Sequence, residues 1–281
     1  MFLINRKNEI VEYFGNTNIL SSSSDNFFGK AYWLQSNYIN TYNYIKKGGT
    51  YMKTSKRKIP MYLFGSAIGA TRYPLYMDDD GYHNLPRPYT NFKPGSIGRS
   101  ITDSIWFCNF VEEVEDKVKY FLQHMYPDKK KAKLTLKLLD LSKRVIPIEC
   151  RISNSCFTHM TLLGNLKDQN DNRHIHTDDD DIITGLFHIG EPTDGGSTFY
   201  YSGLKDNSPG DVQFEMPFQH GRLQIGFFNE TLHAAGEWIG LRGGINLNIK
   251  KKVLSFFLDE TKRAYYDQYK NNGFPNEFIA I

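Results

Sequence analysis

The chain has 281 residues, 40% of them hydrophobic and 23% charged, which suits one large globular domain with a sizeable core. A net charge of +3 is too small to indicate nucleic-acid binding by itself. The first residues, MFLINRKNEIVEYFG, lack the apolar stretch of a secretory signal, and no run of about 18 apolar residues could cross a membrane. Three cysteines without a CxxC pair favour reduced thiols inside a cell. We therefore expect a soluble, cytoplasmic protein without a membrane partner.

Residues 1–102 are rich in Asn, Tyr, Ser and Gly and show only weak periodicity. Within them, residues 73–95 (YPLYMDDDGYHNLPRPYTNFKPG) combine prolines with aromatic residues and have no clear period. Long irregular stretches are uncommon unless they serve a function. The pattern predicts an irregular N-terminal extension that is a candidate cover for a substrate site.

Two helices are predicted after this extension. From Asp103 to Pro127 apolar residues recur at three- and four-residue spacing, with Asp103 or Ser104 as the cap and Pro127 as the end. Residues 129–144 (KKKAKLTLKLLDLSKR) predict a second helix, in which the lysine run at 129–131 is interpreted as a solvated face. Together they predict a helical layer.

From Val145 onward the hydrophobic period changes to two. Gly, Asn, Asp and Pro clusters separate seven short segments rich in β-branched and aromatic residues: VIPIECRIS, SCFTHMTLL, DIITGLFHI, GSTFYYSG, DVQFEM, GRLQIGFFN and GGINLNIK. Strands at this spacing are typical of an antiparallel sandwich or barrel, so the predicted fold class is α+β. Residues 256–281 are predicted to form a closing helix or tail.

The segment HIHTDDDD (174–181) contains a candidate metal-binding pair, His176 and Asp178. Residues i and i+2 of a strand point to the same side, so His-x-Asp presents two ligands together. His233, directly after the apolar segment LQIGFF, is the distal candidate. Two histidines and one carboxylate with open positions are the ligand set of non-haem Fe(II) oxygenases. In the alternative, His174 pairs with His176 as in a cupin-type site.

Arg242 follows His233 by nine residues and begins a strand with alternating Ile245, Leu247 and Ile249. A guanidinium held by a rigid strand can bind a carboxylate through two parallel hydrogen bonds. Such an arginine fits a dicarboxylate cosubstrate that chelates the metal at one end and is anchored at the other.

The order His-x-Asp, TGLFHI, GGSTFYY, GRLQIGFFNETLHAAGEW and Arg242 resembles the double-stranded β-helix (jelly-roll) core of the Fe(II)/2-oxoglutarate-dependent oxygenases. The short His-to-Arg interval and the GGST step are most similar to the prolyl 4-hydroxylase and hypoxia-type prolyl hydroxylase branch. The resemblance places the oxygenase core, with the helices, in residues 103–255 of a single catalytic domain. It covers roughly the last 130 residues.

Several site residues are implied by this resemblance. The iron ligands would be His176, Asp178 and His233, and Arg242 would bind the distal carboxylate of 2-oxoglutarate. His188 stands where prolyl hydroxylases often have a tyrosine that hydrogen-bonds 2-oxoglutarate, and Thr198 in GGST is a further candidate for this cofactor. The implied cofactors are Fe(II), 2-oxoglutarate and O2, with ascorbate as an additional candidate.

The implied activity is hydroxylation of a protein side chain, a peptide or a free amino acid, with decarboxylation of 2-oxoglutarate to succinate and CO2. One alternative is a nucleic-acid base oxygenase, which would need a basic groove; Lys46, Lys47 and residues 53–58 are the candidates for it. A nucleic-acid partner is therefore disfavoured. A non-catalytic, cupin-like binding module is the other alternative.

The remaining polar residues near these motifs receive simpler interpretations. The aspartates at 179–181 are expected to be solvated or to orient a ligand imidazole. His220 is interpreted as a turn residue and Trp238 as core packing. His159 faces either the site or the core, and Arg151 would face the barrel interior if Ile152 faces out.

Overall fold

The computed structural model describes residues 2–4, 10–15, 61–68, 75–78, 81–88, 99, 102–165, 175, 177–178, 180–201 and 212–272. In these residues helices are combined with antiparallel sheets, which confirms the predicted α+β class. No helix in the described ranges is long and apolar enough to cross a membrane.

The largest element is a sheet of eight described strands. In chain order they are β1 (Phe2–Ile4), β2 (Ile10–Gly15), β3 (Met61–Ala67), β6 (Arg87–Pro88), β7 (His159–Asn165), β8 (Asp181–Gly195), β11 (Leu223–Gly226) and β13 (Trp238–Lys250). Their order across the sheet is β1-β2-β11-β8-β13-β7-β3-β6. A smaller sheet has the order β10-β9-β12, from β9 (Thr198–Tyr201), β10 (Val212–Met216) and β12 (His233–Ala235). Strands β4 (Leu75–Asp78) and β5 (Gly81–Asn84) form a separate hairpin.

The predicted helices are both present. Helix α1 (Ile105–Tyr120) continues into a π-helical turn (Phe121–Met125), and helix α2 covers Lys129–Val145. The Asp128 carboxylate caps α2 by accepting a hydrogen bond from the Lys131 backbone N–H at 2.9 Å. The C-terminal part of the chain contains two helices, α3 (Lys251–Leu258) and α4 (Glu260–Asn272), so a helix is present where one was predicted from residue 256, and residues 273–281 lie outside the described residues.

One face of the large sheet is apolar and packs on helix α1. The Phe187 ring lies 5.3 Å from the Phe110 ring, and a Cβ on Gly185 would come within 2.9 Å of Val114. Because side chains alternate along a strand, the residues between these positions face the other side of the sheet. That side is polar, and the Gln224 amide contacts the Tyr200 hydroxyl of the small sheet across it. The two sheets therefore face each other.

The segment 145–153, predicted as a strand, is not one. Residues Ile148–Cys150 form a short 3₁₀ turn, and the chain then doubles back. The buried Arg151 guanidinium donates to the backbone carbonyls of Ile146 at 2.9 Å and Ser155 at 2.8 Å, so it satisfies two carbonyls that a sheet would otherwise pair. Carbonyls that bind a side chain are not available to pair with another strand. The hydrophobic pattern of the segment gave no sign of these bonds.

Strands from the first hundred residues belong to the large sheet. β3 pairs with β7, and β2 pairs with β11. The hairpin β4–β5 lies within residues 73–95, a segment expected to be irregular. The weak hydrophobic alternation of this region did not indicate these strands.

Candidate active site

Asp178 lies in the turn before β8 and is fixed by its backbone. Its N–H donates to the Phe228 carbonyl at 3.0 Å, and its own carbonyl accepts from the Asp181 N–H at 2.9 Å. Phe228 follows the end of β11, so these bonds hold the aspartate at that end of the large sheet. His176 and His174 lie outside the described residues, so the choice between them as ligand stays a prediction.

His233 begins β12, with its Cα opposite Tyr200 of β9. Its Nδ1 lies 2.9 Å from the Thr231 carbonyl, and a carbonyl only accepts, so Nδ1 carries the proton. Nε2 then holds the lone pair, which is the form that a metal ligand needs. The His233 ring also lies 5.1 Å from the Phe228 ring.

Phe228 thus contacts two of the three predicted ligands, Asp178 through its carbonyl and His233 through its ring. The described residues contain no group of three or more His, Cys, Asp or Glu side chains placed to hold a metal ion. The two predicted ligands within the described ranges are the Asp178 carboxylate and the His233 imidazole. The Thr231 carbonyl binds Nδ1 of that imidazole and so orients the ring. This donor set fits a divalent iron whose third ligand would be His176.

Arg242 lies on β13, with its Cα opposite Gly190 of β8. Its Nε donates to the Gly196 carbonyl at 2.8 Å, and its Cζ lies 5.0 Å from the Trp238 ring and 5.6 Å from the Phe218 ring. The bond and the two rings fix the plane of the guanidinium. Trp238, which was expected only to pack in the core, is buried and also contacts this arginine.

Gly196, in the GGST step, has a φ of 84°, a conformation that favours glycine. A Cβ at this position would come within 3.3 Å of both the Arg242 Cδ and the Phe218 Cβ. The glycine therefore allows the backbone to approach Arg242 closely enough to accept its hydrogen bond.

His188 lies on β8, two residues before the partner of Arg242. Burial, and secondly the charge of Arg242, lower the pKa of His188 to about 3. The imidazole is therefore neutral near pH 7. Its ring meets the Phe218 ring edge to face, with centroids 5.5 Å apart.

A hydrogen-bonded chain leads from His188 toward the metal end. His188 Nε2 lies 3.2 Å from Gln224 Oε1, and the Gln224 amide contacts the Tyr200 hydroxyl. Tyr200 is the cross-strand partner of His233. The sequence analysis missed Gln224 and Tyr200; the available signal was a glutamine at an inward position of the otherwise apolar strand LQIG.

Thr198 is buried at the start of β9 and opposite Ala235. Alternation places its side chain on the same face as Tyr200. Its predicted contact with 2-oxoglutarate, like that of His188, stays a prediction.

Asp180 and Asp181 bond to the end of β13 and the start of α3, and the burial of Asp181 corrects the expectation that it is solvated; Asp179 lies outside the described residues. The Asp180 carbonyl accepts from the Lys251 N–H at 2.7 Å, and its carboxylate accepts from the Lys252 N–H at 3.2 Å, at the start of α3. Asp181 is 1% exposed and contacts the Lys250 ammonium. Burial raises the pKa of Asp181 to about 6, against the opposing effect of Lys250. These bonds attach the turn carrying Asp178 to the end of β13.

Two histidines outside the predicted ligand set are also placed. His220 lies in a turn, as expected, where its Nδ1 accepts from the Gly190 N–H at 3.0 Å. His159 is opposite Asn248 and shares its face of the sheet, so it faces the small sheet and not the helices.

No protein-family model and no curated protein matches the chain. Among solved structures, NgTET1 in complex with 5mC DNA is similar over 89% of this chain and 76% of its own, at 14% identity and a TM-score of 0.49. A 2OG-Fe(II) oxygenase family oxidoreductase from Burkholderia pseudomallei is similar over 34% of this chain and 43% of its own (13%, TM-score 0.25). A Pseudomonas putida prolyl-4-hydroxylase is similar over 33% and 48% (14%, TM-score 0.25).

These structures include a TET protein as well as a prolyl-4-hydroxylase, so they do not single out the predicted prolyl hydroxylase branch. At such identities and TM-scores, no substrate and no residue role passes from them to this chain.

Proposed function

We propose that the chain is an Fe(II)- and 2-oxoglutarate-dependent dioxygenase that hydroxylates a protein side chain, a peptide or a free amino acid. The observation that carries the proposal is the arrangement on the inner face of the large sheet. Asp178 and His233 both contact Phe228, while Arg242 lies beside the neutral His188, and Gln224 and Tyr200 join the two groups. His176, Asp178 and His233 would be the iron ligands.

The path of the chain between the sheets supports a double-stranded β-helix. After β7 and β8 of the large sheet the chain enters the small sheet as β9 and β10, returns as β11, crosses again as β12 and ends in the large sheet as β13. Repeated crossing between two facing antiparallel sheets is the pattern of a jelly roll. It is the reason that residues so far apart in sequence share one inner face.

Iron, when bound, would supply O2 activation coupled to conversion of 2-oxoglutarate to succinate and CO2. The protein's own contribution begins with Arg242, whose oriented guanidinium would bind the distal carboxylate of 2-oxoglutarate. The Trp238 and Phe218 rings beside it would shield part of that ion pair from water, and the Thr198 hydroxyl is a further candidate donor.

His188 can donate to 2-oxoglutarate only if its proton is on Nδ1. The structure places Gln224 Oε1 at His188 Nε2, which puts the imidazole proton on Nε2. When the amide is turned over, its nitrogen donates to His188 Nε2 and its oxygen accepts from the Tyr200 hydroxyl, and the one N–H of the neutral imidazole is then on Nδ1. We assign this arrangement to the 2-oxoglutarate complex. Because its low pKa keeps His188 neutral, the positive charge that would bind the distal carboxylate of 2-oxoglutarate is that of Arg242.

The test uses anaerobic protein loaded with Fe(II) and 2-oxoglutarate. We expect a weak visible charge-transfer band, and succinate formation once O2 is admitted. His233→Ala should abolish both, Arg242→Ala should weaken 2-oxoglutarate binding while iron stays bound, and His174→Ala should leave most of the signal. Absence of the band together with absence of succinate contradicts the proposal and favours a non-catalytic module.

The substrate class is tested by adding peptide and free amino-acid mixtures, or mixed methylated oligonucleotides, to the loaded protein. Peptides or amino acids should raise succinate formation above its substrate-free rate and gain one oxygen atom by mass spectrometry. Stimulation by oligonucleotides alone would instead support the base-oxygenase alternative.

A further inference from the structure

The turn between β11 and β12 contacts two of the three predicted iron ligands. The Phe228 carbonyl accepts from the Asp178 N–H at 3.0 Å, and the Thr231 carbonyl lies 2.9 Å from Nδ1 of His233. The Phe228 ring also lies 5.1 Å from the His233 ring. We call residues 227–231 the ligand turn, because its shape sets where the Asp178 backbone and the His233 ring lie.

Two polar side chains of the ligand turn do not fix its backbone. Asparagine and threonine oxygens commonly hold turns by bonding to nearby backbone groups. Here Asn229 Oδ1 and Thr231 Oγ1 are buried and have no hydrogen-bond partner in the part of the chain that the structure describes. A backbone hydrogen bond from the Glu230 N–H to the Phe227 carbonyl, 2.9 Å long, closes the turn. Contacts from outside the turn therefore contribute to its shape.

Helix α2 supplies such a contact through Lys131, which was expected to lie on a solvated face. The Lys131 ammonium lies 3.9 Å from the centroid of the Phe227 ring and donates to the Glu230 carboxylate at 2.6 Å. It thus contacts both residues whose backbones form the closing hydrogen bond of the ligand turn. A cation over an aromatic face and a charge-assisted hydrogen bond both favour a defined geometry.

Phe227 attaches the ligand turn to the helical layer. It is 2% exposed, and its ring lies 5.1 Å from the ring of Tyr126, which follows the π-helical turn. The Lys131 ammonium lies 5.7 Å from the same Tyr126 ring. The next residue, Phe228, contacts His233 instead. Two consecutive residues of the turn therefore connect the helices on one side with a predicted metal ligand on the other.

We infer that Lys131 is a positioning residue for the iron site, which holds the ligand turn in the shape that lets Asp178 and His233 bind one metal ion. This inference rests on the proposed function, because these two residues are predicted ligands of its iron. The Lys131 ammonium has no lone pair with which to bind iron, so it acts through the backbone of residues 227–231. Loss of a contact that orients a metal ligand typically costs about 10–100-fold in metal affinity.

The charge of Lys131 by itself would have the opposite effect. A cation near Fe(II) disfavours metal binding, because like charges repel. If only its charge mattered, a neutral residue in place of Lys131 would tighten Fe(II) binding. If its contacts hold the ligand turn, the same replacement weakens Fe(II) binding. The sign of the change therefore separates the two roles.

The test is calorimetric titration of the metal-free protein with Fe(II) alone under anaerobic conditions, which needs no turnover. Lys131→Met keeps an unbranched side chain beside Phe227 but loses the charge and the bond to Glu230. Because Lys131 lies one step further from the metal than the groups that bind the ligands, we expect the Fe(II) dissociation constant to rise about three- to tenfold. Lys131→Arg keeps a cation over the ring and should stay within about twofold of the wild type.

Lys143→Met is the matched control. Lys143 lies at the other end of α2, where its ammonium is 3.3 Å from the Glu115 carboxylate. Its replacement should lower the Tm of the metal-free protein by about 2–4 °C and leave the Fe(II) dissociation constant unchanged. A fall in Tm alone indicates a structural residue, so the Fe(II) affinity decides the role of Lys131. Lys131→Gln, which also removes the charge, replaces Lys131→Met if that variant does not fold.

The outcomes separate this inference from the proposed function. If the wild type binds Fe(II) and Lys131→Met binds it as tightly or more tightly, Lys131 is not a positioning residue, while the proposed dioxygenase stands. An equal loss of Fe(II) affinity in Lys143→Met, or no recovery of affinity in Lys131→Arg, also overturns the inference. If the wild type binds Fe(II) no more tightly than His233→Ala, the proposed iron site fails, and the role of Lys131 falls with it.

Discussion

His188 should make the fold sensitive to acid. A buried neutral imidazole with a pKa of about 3 does not bind a proton at pH 5, whereas the same residue in the unfolded chain, with a pKa of 6.5, does. Since the folded pKa is the lower one, the contribution to stability is present above pH 6.5 and is lost as the pH falls toward 3. Between pH 7 and pH 5 the loss from this one residue is about 2 kcal/mol, at 1.36 kcal/mol per pKa unit.

The assay is urea denaturation of the wild type and of His188→Gln at pH 7, 6 and 5. Glutamine has no proton to gain, so the wild-type stability relative to the variant should fall by about 2 kcal/mol from pH 7 to pH 5, whatever the absolute effect of the substitution. His124→Gln, at an exposed position of the π-helical turn, controls for the exchange itself. If the difference between wild type and His188→Gln is the same at pH 7 and pH 5, His188 is not buried in its neutral form and the reasoning fails.

Three further predictions concern other parts of the fold. Glu115, a buried carboxylate bonded to Lys119, Lys143 and the Cys156 N–H, has a lowered pKa, so Glu115→Gln should cost about 2 kcal/mol at pH 7 in urea melts. That deficit should shrink below pH 4.5, where the carboxyl of Glu115 gains a proton in the unfolded chain while the folded carboxylate, with its lowered pKa, does not. A constant deficit would argue against the ion pairs. Gly196→Ala should lose about 1–2 kcal/mol from its positive φ and should also weaken 2-oxoglutarate binding in calorimetry; unchanged affinity would separate the glycine from Arg242. Burial raises the pKa of Cys150 to about 11, and of Cys156 well above its usual range, so a thiol reagent should modify neither before unfolding; fast reaction of either in the native protein would refute their burial.

Local pattern accounts for much of the fold. The three- and four-residue spacing over 107–125 predicted a helix because one side of it, including Phe110 and Val114, is buried against β8. Alternation over 181–189 and 245–249 predicted strands with one apolar face for a similar reason. In each case the hydrophobic residues recur with the period of the helix or strand, because residues at that spacing share one buried face.

The same reasoning failed where the partner of a charged side chain is not encoded in the hydrophobic pattern. Asp181 follows three other acidic residues and reads as solvated, yet it is buried because Lys250, 69 positions later, reaches it. Residues 145–153 alternate like a strand, yet Arg151 binds the local carbonyls instead. Lys250 lies outside any local window around Asp181, and the carbonyls bound by Arg151 are close in sequence but leave no mark in the hydrophobic pattern.

The sequence by itself determined the α+β class and the candidate ligands Asp178 and His233 with Arg242, because these depend on residue types and short spacings. Only the tertiary structure decided that Gln224 and Tyr200 connect His188 to the strand opposite His233. This connection depends on strand register between segments far apart in the chain. A shift of one residue in that register would turn each of these side chains to the other face of the sheet.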